Sequence, residues 1–293
     1  MYSLSTKKCY PTRKEFSLKN IFMKNLLFLF LAVAALFSCE KTVELDIEQA
    51  ASVVIIEGLV TNRADKQYVK ISRSRAFGSN GATPTVSGAE VTVSDEMGQV
   101  VHYEESVPGW YTPVEPFTGR AGITYYLTVK ADGQTYTAEE EMQFIPPLDS
   151  LAFREDTEEK MDPEEEGRYY EVLVYGEEPQ ETEDYYLFKF YRNDTLFTND
   201  GSWVFAYDDT ILGERIHDLP TPMYYAKDDW AKVEMYAITR QAYRYYIDLS
   251  SNINNDGGMF SGQPANTRTN IEGGAIGYFQ ASVLQVLELQ VGR

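Results

Sequence analysis

The chain has 293 residues, with 26 basic and 45 acidic side chains and a formal net charge of −19. Such an acidic excess argues against binding to nucleic acid or to an anionic membrane face, because both need Lys and Arg to neutralise phosphate. The length allows one large domain or two ordinary ones after a leader is removed.

A secretion signal is the first predicted element. Basic residues precede an apolar run over residues 26–37, and the small Ser38 stands directly before Cys39. This order is typical of a bacterial lipoprotein signal peptide, cleaved before the cysteine. A plain cleaved signal and a transmembrane anchor are the alternatives, but a membrane span needs about 20 apolar residues. We predict a signal peptide over residues 1–38, with Met23 as the more natural start.

Cys39 is the predicted lipidation site. Cys9 would leave with the signal peptide, so the mature chain keeps one cysteine and can form no internal disulfide. Each buried methylene group adds about 0.8 kcal/mol to membrane binding, so several acyl chains give effectively permanent attachment. Residues 39–51 would then form a lipidated tether.

The segment 52–145 shows the pattern of short β-strands. Apolar and polar residues alternate at 68–72 and 89–94. Turn residues at 95–98 and 132–133 separate pairs of such runs and predict two hairpins. Because about seven short strands with frequent turn signals are typical of a sandwich, we predict an immunoglobulin-like β-sandwich here.

A domain boundary is predicted at the proline pair 146–147, since neither proline can donate to a sheet ladder. The second domain would then span residues 146–293. Near its start, residues 155–167 are so acidic that we expect a solvated loop. A cation site is the alternative that these carboxylates leave open.

The second domain is predicted to be β-rich with one or two short helices. Apolar runs at 169–175, 185–191 and 232–238 indicate strands. Over residues 240–253 apolar positions recur at intervals of three and four, which is helical spacing. Thr239 stands directly before this segment and is a suitable N-cap.

After this helix, the chain is predicted to form a loop and then a hairpin. Residues 252–257 resemble the start of an EF-type calcium loop, but its twelfth position is Gln263, where a bidentate Glu is needed. Asn, Asp and Gly also favour an ordinary helix exit, which we prefer. The runs at 275–280 and 283–289 predict a terminal hairpin.

Recognisable catalytic motifs are missing from the sequence. His102 and His217 are 115 positions apart, so a metal centre built on them would depend wholly on tertiary convergence. His217 and Asp218 resemble part of a triad, but no Ser lies in a G-x-S-x-G elbow. Glycine motifs for phosphate or dinucleotide binding do not occur. We predict that the protein is not an enzyme and uses no metal or cofactor.

Tyrosine is concentrated in one part of the chain, with 13 of its 22 copies between Tyr169 and Tyr246. Exposed aromatic rings with a polar tip favour contact with partners or sugars. The alternative, which we prefer, is that these residues fill half-buried strands. The candidate binding aromatics, expected to be exposed because they lie in loop-rich segments, are Trp203, Trp230, Tyr224 and Tyr225.

Several motifs in a fixed order carry a family resemblance. They lie at residues 36–39, 54–58, 86–93, 122–129, 145–150 and 270–279. In this order the chain resembles, over essentially all of its mature length, a family of Bacteroidetes outer-membrane lipoproteins that carries a domain-of-unknown-function label. The resemblance implies lipid anchoring in the outer membrane and a gene often beside a SusC-like TonB-dependent receptor. It transfers no functional residue except Cys39.

The leading hypothesis is a lipid-anchored outer-membrane protein, favoured on the cell surface, that acts as a binding or accessory subunit. Its partner would be a TonB-dependent transporter or that transporter's ligand, and the ligand itself stays unknown. A structural or adhesive surface lipoprotein is the second hypothesis, and an envelope hydrolase is the third.

Overall fold

The computed structural model describes residues 52–75, 81–179, 181–198, 204–213, 215–255 and 266–293. Within these ranges the protein is mainly β with one helix of more than a single turn, which confirms the predicted fold class. The strands are β1 (Val54–Thr61), β2 (Tyr68–Arg73), β3 (Glu90–Asp95), β4 (Val100–Val107), β5 (Trp110–Pro113), β6 (Thr124–Ala131), β7 (Gln134–Glu141), β8 (Leu148–Glu155), β9 (Arg168–Glu177), β10 (Tyr185–Arg192), β11 (Thr195–Leu196), β12 (Phe205–Asp208), β13 (Arg215–Pro220), β14 (Tyr225–Ala226), β15 (Trp230–Ile238), β16 (Ile276–Ser282) and β17 (Leu284–Gln290). The helices are α1 (Asp209–Leu212) and α2 (Arg240–Ile253), and a 3-10 turn covers Glu159–Met161.

Sheet I contains eight strands in the order β16-β1-β2-β5-β4-β3-β6-β7. Both predicted hairpins are present, since β3 pairs with β4 and β6 with β7. The immunoglobulin-like detail is not confirmed, because these strands follow one hydrogen-bonded path instead of forming two sheets. The path curls toward itself, and the amide of Glu272, just before β16, donates to the Thr137 carbonyl on β7 at 2.7 Å.

Strand β16, near the end of the chain, lies beside β1, the first described strand. It pairs with β1 in parallel, with Gly277 opposite Ile56. Gly277 has a φ of 112°, and a Cβ there would lie 2.1 Å from the Ile56 carbonyl oxygen, so the position requires glycine. This pairing crosses the boundary predicted at 145/146, and the described residues from 52 to 293 belong to one compact unit.

Two further sheets pack face to face. Sheet II has the order β11-β10-β15-β17 with β12 also on β10, and sheet III has the order β13-β9-β14 with β8 also on β9. The apolar core between them includes Leu148, Val172, Val174, Ile216 and Tyr225 from sheet III and Phe188, Phe190, Val233 and Met235 from sheet II.

The opposite face of sheet II packs against helix α2 and sheet I. This second core brings together Leu59, Leu187, Tyr236, Ala242 and Tyr278. Because sheet II is covered on both faces, β15 is buried along nearly its whole length, even at Glu234. Sheet II is therefore the central layer among the described residues.

Helix α2 confirms the helical prediction. It spans Arg240–Ile253, and the Thr239 hydroxyl oxygen accepts from the Ala242 amide at 3.1 Å, as an N-cap does. The predicted terminal hairpin is wrong. Strand β16 pairs with β1 in sheet I, whereas β17 pairs with β15 in sheet II, because the chain crosses between sheets near Val283.

The predicted signal peptide, Cys39 and the tether lie outside the described residues. Among the helices within the described ranges, none is both long and apolar enough to cross a membrane.

Candidate functional site

A cavity of about 230 Å³ lies where sheet I, sheet II and helix α2 meet. Strands β1 and β2 form one wall, β10 with residues of β11 and β12 forms another, and α2 and β16 also contribute to the lining. Alternation along β10 places Leu187 and Lys189 on the same face, and helical spacing brings residues of α2 to the lining. The polar and aromatic side chains of the lining include Glu57, Tyr68, Lys189, Tyr245, Tyr246 and Tyr278.

Aromatic rings dominate this lining. The ring centroid of Tyr245 lies 4.9 Å from that of Tyr278 and 5.1 Å from that of Tyr246. Tyr68 stacks on Trp110 at 4.5 Å. Burial raises the pKa of Tyr68 and of Tyr245 to about 12, so both hydroxyls keep their protons at neutral pH and remain hydrogen-bond donors.

Lys189 places a cation at this aromatic site. Its Nζ lies 4.9 Å from the centroid of the Tyr236 ring, a cation–π contact. Within the described part of the chain, the neighbouring carboxylates are bound to other lysines, Glu234 to Lys66 and Glu57 to Lys70. Burial lowers the pKa of Lys189, because the ammonium group loses water.

Glu234 lies opposite Lys189 in the β10–β15 pair, but its carboxylate is hydrogen-bonded to other side chains. Its carboxylate accepts from the Lys66 Nζ at 2.8 Å and from the hydroxyls of Tyr191 at 2.8 Å and Tyr236 at 2.7 Å. Burial by itself raises the pKa of Glu234, but these donors outweigh burial and hold the pKa below its usual value. Glu234 is therefore ionised and neutralised without Lys189.

Glu140 is a second buried acid, located behind the cavity wall. Its carboxylate accepts from the Tyr278 hydroxyl at 3.0 Å, the Asn270 side-chain amide at 3.2 Å and the Thr239 hydroxyl. Burial raises its pKa to about 7 even though these donors lower it. Glu140, on β7, is thus hydrogen-bonded to the N-cap of α2 and to β16, and its carboxyl group titrates near neutral pH.

The aromatics selected from sequence do not line this cavity. Trp230 is 50% exposed at the start of β15, and Tyr224 is half-buried, donating to Asp156 at 2.9 Å. The expected exposure of Tyr225 is wrong, because β14 pairs with β9 and its ring is fully buried in the core between sheets II and III. Trp203 lies outside the described residues. A binding role for these residues stays a prediction.

The two histidines lie on the exposed surface, and the calcium-like segment lies partly outside the described residues. His217 and Asp218 are 3.6 Å apart on the exposed surface, and His102 is exposed on β4. Asn254 follows α2 as its C-cap, and the segment beyond 255 is outside the described ranges until 266. Across the described part of the chain, no three His, Cys, Asp or Glu side chains are grouped to hold a metal ion.

Basic side chains pair with several acids of the stretch 155–167. Glu165 pairs with Arg168 and with Arg192, the latter at 3.1 Å, and Lys160 pairs with Glu155 at 2.7 Å. Most side chains of the stretch are exposed, as expected for a solvated loop.

A sequence family accounts for most of the chain. The family described as "Domain of unknown function (DUF4249)" matches residues 40–285. The chain belongs to this family. The match includes the strands of sheet I, β10 and α2, so every wall of the cavity lies within the DUF4249 region. No curated protein matches the chain.

Sequence reasoning missed the cavity of this DUF4249 protein. Its walls come from β1, β2, β10 to β12, α2 and β16, most of which are far apart in the sequence. One local signal existed, since Lys189 is a lone charge within the otherwise apolar and aromatic run 185–191. A charge in such a run requires either a partner or a solvent-filled space.

Proposed function

We propose that this DUF4249 protein is a lipid-anchored outer-membrane protein that binds a ligand and serves a TonB-dependent transporter as an accessory subunit. The lipoprotein signal ending at Cys39 and the motif resemblance support the anchor and the partner. The observation that carries the binding role is the tyrosine-lined cavity, which combines aromatic faces, hydroxyl donors and one cation. Concave sites with an apolar lining and a few convergent polar groups are typical of ligand recognition.

The anchor can be tested at Cys39. Cells that express the full chain or Cys39→Ala are labelled with a palmitate analogue and fractionated. We expect the full chain to carry label in the outer-membrane fraction and the variant to lose both the label and the membrane association. An unlabelled full chain that fractionates as the variant does would contradict lipidation at this residue.

The partner can be tested by affinity capture. A tagged full chain, isolated from gently solubilised outer membranes, is expected to bring down a TonB-dependent β-barrel transporter, identified by mass spectrometry. The control is a different tagged lipoprotein expressed at the same level. Repeated captures that contain no transporter above this control would exclude the accessory role, whereas a deletion strain with altered attachment but normal uptake would favour the adhesive alternative.

A further inference from the structure

We propose that the cavity binds a small ligand that carries a carboxylate on a flat apolar body, with the carboxylate held by Lys189. This inference deepens the proposed function and rests on it, since it names the class of ligand that the binding subunit would take. The site is assigned on three grounds, namely a lysine without an ion pair among the described residues, flat aromatic walls and a limited volume.

The first ground is the charge of Lys189. Its neighbour across the β10–β15 pair, Glu234, is already neutralised by Lys66 and two tyrosine hydroxyls. Glu57, which also lines the cavity, pairs with Lys70 at 2.9 Å. The Tyr236 ring face compensates the ammonium group only in part. An anionic ligand would supply the missing counter-charge.

The second ground is the shape of the walls. Rings of Tyr68, Tyr245, Tyr246 and Tyr278 contribute to the lining, and Leu249 of α2 adds an apolar contact. Aromatic faces favour offset or edge contacts with a flat ligand body. Since the Tyr68 and Tyr245 hydroxyls stay protonated, they can donate to a second oxygen of the ligand but do not repel an anion.

The third ground is size. A volume of about 230 Å³ is below the usual range of drug-sized pockets, which begins at about 300 Å³. This volume fits a one- or two-ring acid better than an oligosaccharide or a peptide. The acidic net charge of the protein does not oppose such a ligand strongly, because at physiological salt charges beyond roughly 8 Å are largely screened.

The test uses two matched probes, naphthalene-2-carboxylate and the neutral naphthalene-2-methanol, measured by isothermal titration calorimetry with the purified full chain. We expect the carboxylate to bind the unmodified protein and to bind Lys189→Met about tenfold or more weakly. Lys189→Arg should retain most of the affinity, and the neutral alcohol should bind both proteins equally. Lys130→Met, which alters an exposed ion pair with Glu90, is the control variant and should change nothing.

Three results would overturn the inference: equal binding of the two probes, full carboxylate affinity in Lys189→Met, or no carboxylate binding at millimolar concentration. Transporter capture with Lys189→Met separates the two proposals. If the transporter is captured while no carboxylate binds, the ligand class is wrong and the accessory role stands. If the carboxylate binds through Lys189 but no transporter is captured, the ligand class stands and the accessory role is wrong.

Discussion

The two faces of sheet II differ in how many polar and charged side chains they carry. The face toward sheet III is mainly apolar: Phe188, Phe190, Val233 and Met235 pack there, and the buried acid Glu178 accepts a hydrogen bond from the Tyr186 hydroxyl at 3.1 Å. The face toward sheet I and α2 carries charged groups among its tyrosines and contains the cavity. The same strands, β10 and β15, supply both faces because successive side chains point to opposite sides.

The difference separates the face that contributes most to stability from the face that carries the proposed binding site. On the face toward sheet III most side chains remove apolar surface from water, which is the main stabilising term in folding. On the cavity face, Glu234 pairs with Lys66, burial raises the pKa of Glu140 to about 7, and Lys189 has no ion pair among the described residues while burial lowers its pKa. Binding sites commonly retain such locally unfavourable groups.

The largest expected effect is on the face toward sheet III. Met235→Ala removes a fully buried side chain and leaves a void between sheets II and III. We expect a loss of about 3 to 4 kcal/mol in the free energy of unfolding, measured by urea denaturation. Carboxylate binding should survive where the variant is folded. A loss below about 1 kcal/mol would show that the two faces do not differ as described.

Glu140→Gln should make stability less dependent on pH. The folded-state pKa of about 7 lies above the usual 4.5, so the stability that protonated Glu140 provides is complete below about pH 4.5 and is lost as the pH rises through 7. The free energy of unfolding of the variant, measured by urea denaturation, should therefore exceed that of the unmodified protein by about 2 to 3 kcal/mol at pH 8. The two values should be equal at pH 4.5. The neighbouring exposed Glu139→Gln is the control. If the stability of Glu140→Gln and of the unmodified protein depended on pH in the same way, the raised pKa of the buried Glu140 would be contradicted.

Lys66→Met should lower the free energy of unfolding, because it removes the counter-ion of the buried Glu234. Glu234 would keep its two tyrosine donors but lose its counter-ion, and we expect a loss of about 1 to 2 kcal/mol at pH 7. Since the folded-state pKa of Glu234 lies below 4.5, its contribution is present above that pH and is lost as the pH falls through the folded value. The penalty should therefore shrink near pH 3. Lys130→Met, at an exposed pair, should cost at most about 0.5 kcal/mol.

The smallest and most diagnostic effect is a gain. Lys189→Met removes a half-buried cation and should raise the free energy of unfolding at pH 7 by roughly 0.5 to 1 kcal/mol while weakening carboxylate binding. The folded-state pKa of Lys189 is lowered, so the unmodified protein should gain stability as the pH rises toward 10.5, and the variant should lack this gain. A clear loss of stability in the variant would indicate that Lys189 has a structural role.

Local patterns in the sequence were sufficient for elements that depend on near neighbours. The hairpins around 95–98 and 132–133 and the helix at Arg240–Ile253 were predicted, since turn residues, alternation and an N-cap act within a few positions. The exposure of Tyr225 was predicted wrongly, because a two-residue strand pairs with β9 and turns the ring inward, which no local pattern indicates.

The sequence by itself determined the β-rich class, the acidic charge, the family and the expectation of a lipid at Cys39, because composition and short-range motifs decide these properties. Only the tertiary structure decided that β16 pairs with β1 while β17 joins β15 in another sheet. That crossing brings Tyr278 beside Tyr245 and into the same cavity lining as Lys189. Strand partners and cavities depend on contacts between distant segments, and alternation along one strand does not specify which strand lies next to it.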